Sequence, residues 1–110
     1  MHMSRQVSFR LGELEFIWDV GKNMANVEKH GVTFEEAATT WLDPFSIERF
    51  DEKHSDDEDR WIRIGVSLRG TLLVSWSAER TASTTTVVRI IGARRATRRE
   101  RRLYEQAEDD

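Results

Sequence analysis

The sequence of 110 residues predicts one α+β domain, and three observations support this fold class. Stretches that alternate apolar and polar residues dominate the second half of the chain, which is typical of a sheet. Two helix-start motifs precede that half and a third follows it. Neither an internal repeat nor a linker rich in proline or serine divides the sequence, so a single domain over residues 1–110 is expected.

The N-terminal part predicts two strands and a helix. Residues 7–11 and 14–18 are short, strand-like and separated by a Gly-Glu pair. Asp19 is a suitable N-cap for a helix that runs to about His30, because Gly31 supplies the left-handed residue that ends many helices. We therefore expect a hairpin followed by a short helix.

A second short helix is predicted to begin at Thr33. Residues 33–36 have the Thr-x-x-Glu form of a capping box, and apolar residues then recur at helical spacing as far as Trp41. Asp43-Pro44 ends the element, because proline lacks the amide hydrogen that a helix interior needs.

The rest of the sequence predicts an antiparallel sheet and a final helix. An extended stretch at 45–50 is followed by a three-stranded meander at 60–67, 72–76 and 87–91, with a polar loop at 77–85. Residues 97–100 form another capping box, which opens a C-terminal helix with Leu103 and Tyr104 as its packing residues.

Charge is concentrated in two opposed segments, although the formal net charge is only -3. Residues 94–102 hold six arginines and one glutamate, whereas residues 51–59 hold six acids and one lysine. Arginine presents a planar fork of donors that suits phosphate oxygens, and 14 of the 17 basic residues are arginine. The pattern indicates a nucleic-acid backbone as partner. A further hypothesis is that the acidic segment folds back on the basic helix and screens it.

The composition excludes several kinds of site. The chain has no cysteine, which removes disulfides, thiolate zinc sites and cysteine nucleophiles. No stretch is long and apolar enough to cross a membrane, and the first residues lack the apolar core of a signal peptide. We therefore expect a cytoplasmic protein. Because the acids at 56–59 are contiguous, their carboxylates point in differing directions, and neither a metal site nor another cofactor is predicted.

Several spaced motifs, all in one order, resemble a known family. They are Phe16-Ile17-Trp18-Asp19, Lys29-His30-Gly31-Val32, Phe34-Glu35-Glu36-Ala37, Asp43-Pro44, Arg60-Trp61-Ile62-Arg63-Ile64-Gly65, residues 94–101 and Tyr104-Glu105. Together they resemble the BrnT toxins of bacterial type II toxin-antitoxin systems over residues 14–105. Residues 1–13 depart from the family, whose members usually begin close to the Phe-x-Trp-Asp strand. We interpret them as an N-terminal extension that is partly a cloning remnant.

The resemblance implies both a fold and an activity. The fold would be RelE-like, with two short N-terminal helices, an antiparallel sheet and a C-terminal helix. The activity would be that of a small endoribonuclease that inhibits translation. Its partners would be RNA and a BrnA-type antitoxin, a ribbon-helix-helix protein, and homodimerisation within the toxin-antitoxin complex stays open.

A ribonuclease that works without a metal ion needs a proton acceptor for the 2′-hydroxyl, cations for the phosphorane and an acid for the leaving oxygen. Arg60, Arg80 and Arg94 lie at or beyond the ends of three predicted strands, so we expect them to converge at one edge of the sheet. Taken singly, each is more often an ordinary surface arginine, and it is the resemblance that favours phosphate binding. Glu58 is the carboxylate expected to orient an arginine or to accept a proton.

None of the histidines or lysines is assigned as the general base. Lys29 and His30 lie at the end of a predicted helix, where cations stabilise the helix dipole, and both are also catalytic candidates. His54 is interpreted as an ordinary loop residue.

Two uses stay open for the C-terminal arginines. RNA or a partner protein would bind Arg95, Arg98, Arg99, Arg101 and Arg102. The four tryptophans have the residue type that stacks on bases, but their apolar surroundings favour core packing. The alternative to a ribonuclease is a module that binds nucleic acid or a partner without cleavage, and salt-sensitive binding without turnover would identify it.

Overall fold

A six-stranded sheet organises the chain, and the computed structural model describes residues 5–108 of it. The strands are β1 (Gln6–Leu11), β2 (Leu14–Asp19), β3 (Ile47–Phe50), β4 (Arg60–Val66), β5 (Leu72–Ala82) and β6 (Thr85–Arg95). The helices are α1 (Val20–His30), α2 (Phe34–Ala38) and α3 (Arg98–Glu108), with 3₁₀ turns at Thr39–Leu42 and Glu52–His54. The predicted α+β class is confirmed.

The sheet is mixed, so the prediction of a purely antiparallel sheet is wrong. Its strands lie in the order β1-β2-β6-β5-β4-β3, and β2 runs parallel to β6 while every other neighbouring pair is antiparallel. Parallel neighbours need a long crossover. Here the chain between β2 and β6 forms two helices and three strands before β6 returns to the free edge of the N-terminal hairpin.

The N-terminal hairpin and the β4-β5-β6 meander are confirmed, but the polar loop predicted at 77–85 is wrong. β5 and β6 have 11 residues each and are joined only by Ser83 and Thr84, with Ser83 at a φ of 58°. The threonines of this segment suit an exposed hairpin because β-branched side chains fit the pleated surface of a strand.

The predicted helix ends are largely confirmed. Asp19 caps α1 through its side chain, and Gly31 takes the left-handed φ of 70° that stops the helix. Thr33 accepts a hydrogen bond from Glu36 N at 3.0 Å, but the Glu36 carboxylate bonds the Ser67 hydroxyl at 2.8 Å instead of completing the capping box. α2 then tightens into the 3₁₀ turn at Thr39–Leu42.

The two faces of the sheet differ in how they are covered. One face packs against α2 and the following 3₁₀ turn, and its buried core includes Phe16, Trp18, Val32, Phe34, Leu73, Val88 and Ile90. On the other face, α3 covers only one end, where Tyr104 packs with Ile64, Leu72 and Val74. Leu103 lies nearby, against Ile47 and Ile62. The predicted packing roles of Leu103 and Tyr104 are thus confirmed.

α1 covers the part of the β6 edge that extends beyond β2. The pairing of the two strands ends at Arg89, so Ala93 has β5 on one side but no strand on the side of β2. The Asn26 side chain takes that place, because its Nδ2 donates to Ala93 O at 2.8 Å and its Oδ1 accepts from Ala93 N at 3.2 Å. Nδ2 also donates to Val32 O at 2.9 Å, so one amide joins α1, the chain before α2 and the sheet.

Replacing Asn26 with alanine is expected to lower the free energy of unfolding by about 2–3 kcal/mol, because it leaves strand-edge groups partly unsatisfied. Urea denaturation of wild type and Asn26→Ala measures the difference. Met24→Ala is the matched control, since Met24 lies on the same helix and is 66% exposed. Equal losses for the two variants would contradict the edge-capping role.

Candidate active site

An irregularity in β6 decides which arginines share a face of the sheet. The pairing of β5 with β6 shifts between Trp76 and Ser77, where β6 contains one extra residue, Ile91. Arg89 and Arg94 are five positions apart, and in a regular strand they would point to opposite faces. Because the extra residue shifts the alternation by one, both arginines point to the face on which α3 packs.

On that face, which we call the arginine face, the three neighbouring strands β4, β5 and β6 carry four arginines: Arg60, Arg80, Arg89 and Arg94. Ala78 is the cross-strand partner of both Arg60 and Arg89, so the Cα atoms of these two arginines lie about 10 Å apart. Arg80 follows Ala78 by two residues, about 7 Å along β5. Arg94 lies at the other end of the face, nearer α3.

The three arginines named from the sequence therefore share a face rather than an edge. Arg80 lies within β5 and Arg94 within β6, not in a loop or after a strand as predicted, because both strands are longer than expected. Sequence reasoning missed Arg89. It is the one charged residue within the apolar stretch 87–91, and a lone charge in such a strand is the signal that would have found it.

Glu58 connects two of these arginines. Its carboxylate forms an ion pair with Arg89 and lies 3.8 Å from Arg60 Nε. Within residues 5–108, Arg60 Nε is buried and has no hydrogen-bond partner. One carboxylate of the acidic segment thus approaches cations from β4 and β6, two strands that are not neighbours. The contacts of Glu58 lie on the sheet, whereas the screening hypothesis expected this segment to reach the basic helix.

A groove crosses the arginine face. Arg80, Arg89 and Glu58 line a depression of about 300 Å³, with Ile17, Ala78 and Val87 among the other lining residues. An adjoining depression of about 600 Å³ also includes Arg89 and extends to the first turn of α1, where Lys22 borders it. Arg60 lines neither depression but lies at their margin, across Ala78 from Arg89, and shares a neighbouring depression with Glu58. We call the two depressions and this margin the arginine groove.

The structure separates Lys29 and His30 from this groove. Both belong to the last turn of α1, whereas Gly21, Lys22 and Ala25 from its first two turns line the larger depression. Neither Lys29 nor His30 is among the residues that line either depression. The helix cation that sequence reasoning missed is Lys22, which carries no motif of its own.

Arg94 is already engaged, by Glu100 of α3. Arg94 Nη1 and Nη2 donate to the two Glu100 oxygens at 2.8 and 2.9 Å, and the guanidinium lies 5.1 Å from the centre of the Trp76 ring. Glu100 Oε1 also accepts from Thr97 N at 2.8 Å, and Thr97 Oγ1 accepts from Glu100 N at 3.2 Å. The predicted capping box is confirmed, and Arg94 fixes α3 to the sheet.

The pKa of Glu100 reflects this pairing. The hydrogen bond from Arg94 is the largest influence and, with the bonds from Thr97, lowers the Glu100 pKa from 4.5 to about 2 against the opposing effect of burial. The same bond raises the pKa of Arg94. The pair is therefore charged on both sides at any pH compatible with activity.

Asp43 secures the other end of the α3 contact. Its Oδ2 accepts from the Tyr104 hydroxyl at 2.7 Å and from Val66 N at 2.9 Å, and its Oδ1 accepts from Phe45 N at 2.9 Å. Burial raises the pKa of Asp43, but the hydrogen bonds from Val66, Tyr104 and Phe45 outweigh it and hold the pKa below its usual range. α3 is thus held to the sheet by a carboxylate at each end of the contact.

The remaining candidate arginines are exposed on or just before α3: Arg95, Arg98, Arg99, Arg101 and Arg102. Of the tryptophans, Trp18 is buried and Trp41 packs edge-on against Phe16, which confirms their expected core role. Trp61 packs against Phe50. Trp76 differs, because it lies half-buried on the arginine face.

Residues 5–108 contain neither a membrane-spanning helix nor a metal-binding cluster. None of the helices is long and apolar enough to span a membrane. No three side chains of histidine, cysteine, aspartate or glutamate lie in an arrangement able to hold a metal ion.

Comparison with known proteins gave one finding about the family. A family model described as ribonuclease toxin, BrnT, of type II toxin-antitoxin system matches residues 18–100. The matched range begins in β2 and ends at Glu100, so it includes every strand residue of the arginine groove except Gln6 of β1 and Ile17 of β2. No curated protein matches the chain.

Glu100→Gln is expected to lower the free energy of unfolding by on the order of 2 kcal/mol at neutral pH, because the Glu100 pKa is depressed in the folded state. The contribution of a depressed carboxyl is complete above its unfolded pKa and is lost as pH falls through its folded pKa. The gap between wild type and variant should therefore close between about pH 4.5 and 2. Urea denaturation over this range measures it, with the exposed Glu105→Gln as control. A gap that stays constant with pH would contradict the assignment.

Proposed function

The chain belongs to the BrnT family of ribonuclease toxins of type II toxin-antitoxin systems, and we propose that it is an endoribonuclease whose arginine groove binds RNA and which needs no metal ion. Its membership implies an RNA substrate and an antitoxin partner. The proposal adds the site, the chemistry and the nature of the antitoxin.

The observation that carries the proposal is the placement of Arg60, Arg80 and Arg89 around Glu58. Arg80 and Arg89 line one open depression with this carboxylate, and Arg60 approaches it from the other side of Ala78, with Nε at 3.8 Å. A phosphodiester between them can receive donors from three guanidinium groups at once. Arginine forks bind phosphate oxygens in pairs and with little reorganisation. Arg80 is exposed and forms no ion pair with any residue of the range 5–108, so its donors are free for a ligand.

In the absence of RNA, Glu58 binds the arginines that RNA would contact. Its pairing with Arg89 and its approach to Arg60 reduce the repulsion between these cations. A phosphate that enters the groove competes with Glu58 for the same donors. Binding therefore releases the carboxylate and replaces one anion with another, which limits the electrostatic cost of holding the cations together.

The proposed reaction is attack of a ribose 2′-oxygen on the adjacent phosphorus. A bond forms between the 2′-oxygen and phosphorus while the bond to the 5′-oxygen breaks, and the products are a 2′,3′-cyclic phosphate and a 5′-hydroxyl. The phosphorane carries more negative charge than the substrate, so preorganised arginines stabilise it more strongly. Their charge supplies the stabilisation that a metal ion gives in other nucleases.

The role of Arg94 is indirect in this proposal. Its donors to Glu100 hold α3 and place Trp76 beside the groove. The exposed arginines of α3 lie on the same side of the sheet and extend the positive surface along the RNA backbone. We assign Lys29 and His30 a stabilising role at the end of α1.

The remaining parts of the proposal come from the family. We propose a RelE-like fold, a cytoplasmic location, a BrnA-type ribbon-helix-helix antitoxin and, within the complex, a toxin homodimer. Inhibition of translation follows from cleavage of RNA. An antitoxin segment that covers the arginine groove would block phosphate binding directly.

Purified wild type is expected to cleave total cellular RNA in EDTA and to leave cyclic phosphate ends. Arg60→Ala, Arg80→Ala and Arg89→Ala should each reduce the single-turnover rate at least about 100-fold, the loss typical of removing one transition-state donor. Gel analysis of the RNA measures cleavage, and circular dichroism checks folding. Arg94→Ala should lower stability first, because it releases α3.

Arg69→Ala is the matched control for net charge, since Arg69 is exposed on the turn between β4 and β5. It should retain the wild-type rate. Full activity in all three groove variants would place the site elsewhere. Salt-dependent RNA binding by wild type without cleavage would favour the non-catalytic binding module.

A further inference from the structure

The acidic segment contains a histidine and an aspartate in direct contact. His54 Nδ1 lies 2.9 Å from Asp51 Oδ2, in the 3₁₀ turn that precedes β4. The Asp51 side chain is 6% exposed, whereas that of His54 is 62% exposed. Because an ionised carboxylate only accepts hydrogen bonds, Nδ1 carries the hydrogen and Nε2 keeps its lone pair. The proton-accepting nitrogen is thus the one left for solvent or substrate.

Backbone and side-chain bonds fix this pair to the start of β4. Asp51 N donates to Arg60 O at 2.8 Å. The Ser55 hydroxyl donates to Asp51 O at 2.5 Å and accepts from Arg60 N at 3.0 Å. Asp51 and Ser55, which flank the turn that holds His54, are therefore both hydrogen-bonded to the backbone of Arg60.

The position of His54 relates it to the arginine groove. His54, Glu58 and Arg60 line a depression of about 180 Å³. Glu58 also lines the depression that holds Arg80 and Arg89, so the two spaces meet at this carboxylate. The charged groups that share the smaller space with His54 are Lys53, Asp56, Asp57, Glu58 and Arg60, with Asp51 on Nδ1.

We propose that Asp51 and His54 form the acid-base dyad of this ribonuclease site, with RNA as the substrate. The inference rests on the proposed function. With a phosphate held by Arg60 and Arg89, the 2′-hydroxyl on its 3′-linked ribose is presented to His54. Nε2 takes the hydroxyl proton as the 2′-oxygen bonds to phosphorus. The 5′-oxygen leaves with the electron pair of its bond to phosphorus and takes a proton from water, and His54 returns its proton to solvent.

The two residues have different parts in this step. His54 contacts the reacting hydroxyl, which makes it the catalytic residue. Asp51 is a positioning residue, since it holds the imidazole in one tautomer and stabilises the positive charge that forms on proton transfer. The assignment fills the general-base role for which neither Lys29 nor His30 is suitably placed.

The test compares His54→Gln, His54→Ala and Asp51→Asn with wild type in single-turnover cleavage of a mixed-sequence RNA oligonucleotide in EDTA. His54→Gln should reduce the rate at least about 100-fold, the usual range for loss of a general base. It should leave the affinity for the same oligonucleotide with 2′-deoxy sugars unchanged. Added imidazole should restore part of the activity of His54→Ala, and Asp51→Asn should lose about tenfold or more.

His30→Gln is the control and should keep the wild-type rate. A His54→Gln variant that cleaves within about threefold of wild type would overturn the dyad while the ribonuclease proposal stands. A wild-type protein that binds the oligonucleotide and cleaves no RNA would overturn the ribonuclease proposal itself. The pH profile gives a further readout, because an imidazole that is already protonated cannot accept the hydroxyl proton. The wild-type rate should therefore fall in acid, and the residual rate of His54→Gln should not.

Discussion

The extra residue in β6 is the constraint on which the rest of the site depends. β6 pairs with β2 on one side and with β5 on the other, so its alternation sets the direction of side chains in the middle of the sheet. Without Ile91, a regular strand that keeps Arg89 on the open face would turn Arg94 toward the buried core on the other face. The bond between Arg94 and Glu100 would be lost, and α3 would keep only the attachment of Tyr104 to Asp43. One irregularity in the ladder therefore places the groove and the Arg94 anchor of α3 on the same face.

The arginines of this face differ in how strongly a carboxylate binds them. Glu100 binds Arg94 with both oxygens, sits within a helix cap and has a pKa of about 2, so this pair is a structural bond. Glu58 instead pairs with Arg89 through a single oxygen that also approaches Arg60, and its side chain is 35% exposed. An exposed pair of this kind is weak and exchanges readily with a stronger anion. Phosphate binding thus competes with Glu58 and leaves the α3 attachment intact.

The sequence predicted the structural features that depend on residues close together in the chain. The N-caps at Asp19 and Thr33, the capping box at Thr97, the stop at Gly31 and the meander each depend on a few neighbouring residues, and each formed as expected. The Glu36 half of the box predicted at Thr33 did not form, because Glu36 bonds the distant Ser67. The parallel contact of β2 with β6 and the shift in β6 depend on which strands become neighbours, and no local pattern encodes that. The candidate site followed the same pattern. Arg60 was predicted from a motif, and Arg80 and Glu58 from their places beside predicted strands. Arg89, Lys22 and His54 become candidates only through the residues that the fold places beside them.

The most direct test of the central claim is an NMR titration of the arginine side-chain Nε signals with an RNA oligonucleotide whose 2′-deoxy sugars prevent cleavage. The account predicts that the signals of Arg60, Arg80 and Arg89 shift together and saturate at one RNA concentration, while that of Arg94 moves little because Glu100 holds it. Shifts confined to the arginines of α3, with the three groove signals unchanged, would contradict the account. RNA would then bind along the helix, and the groove would not be its site.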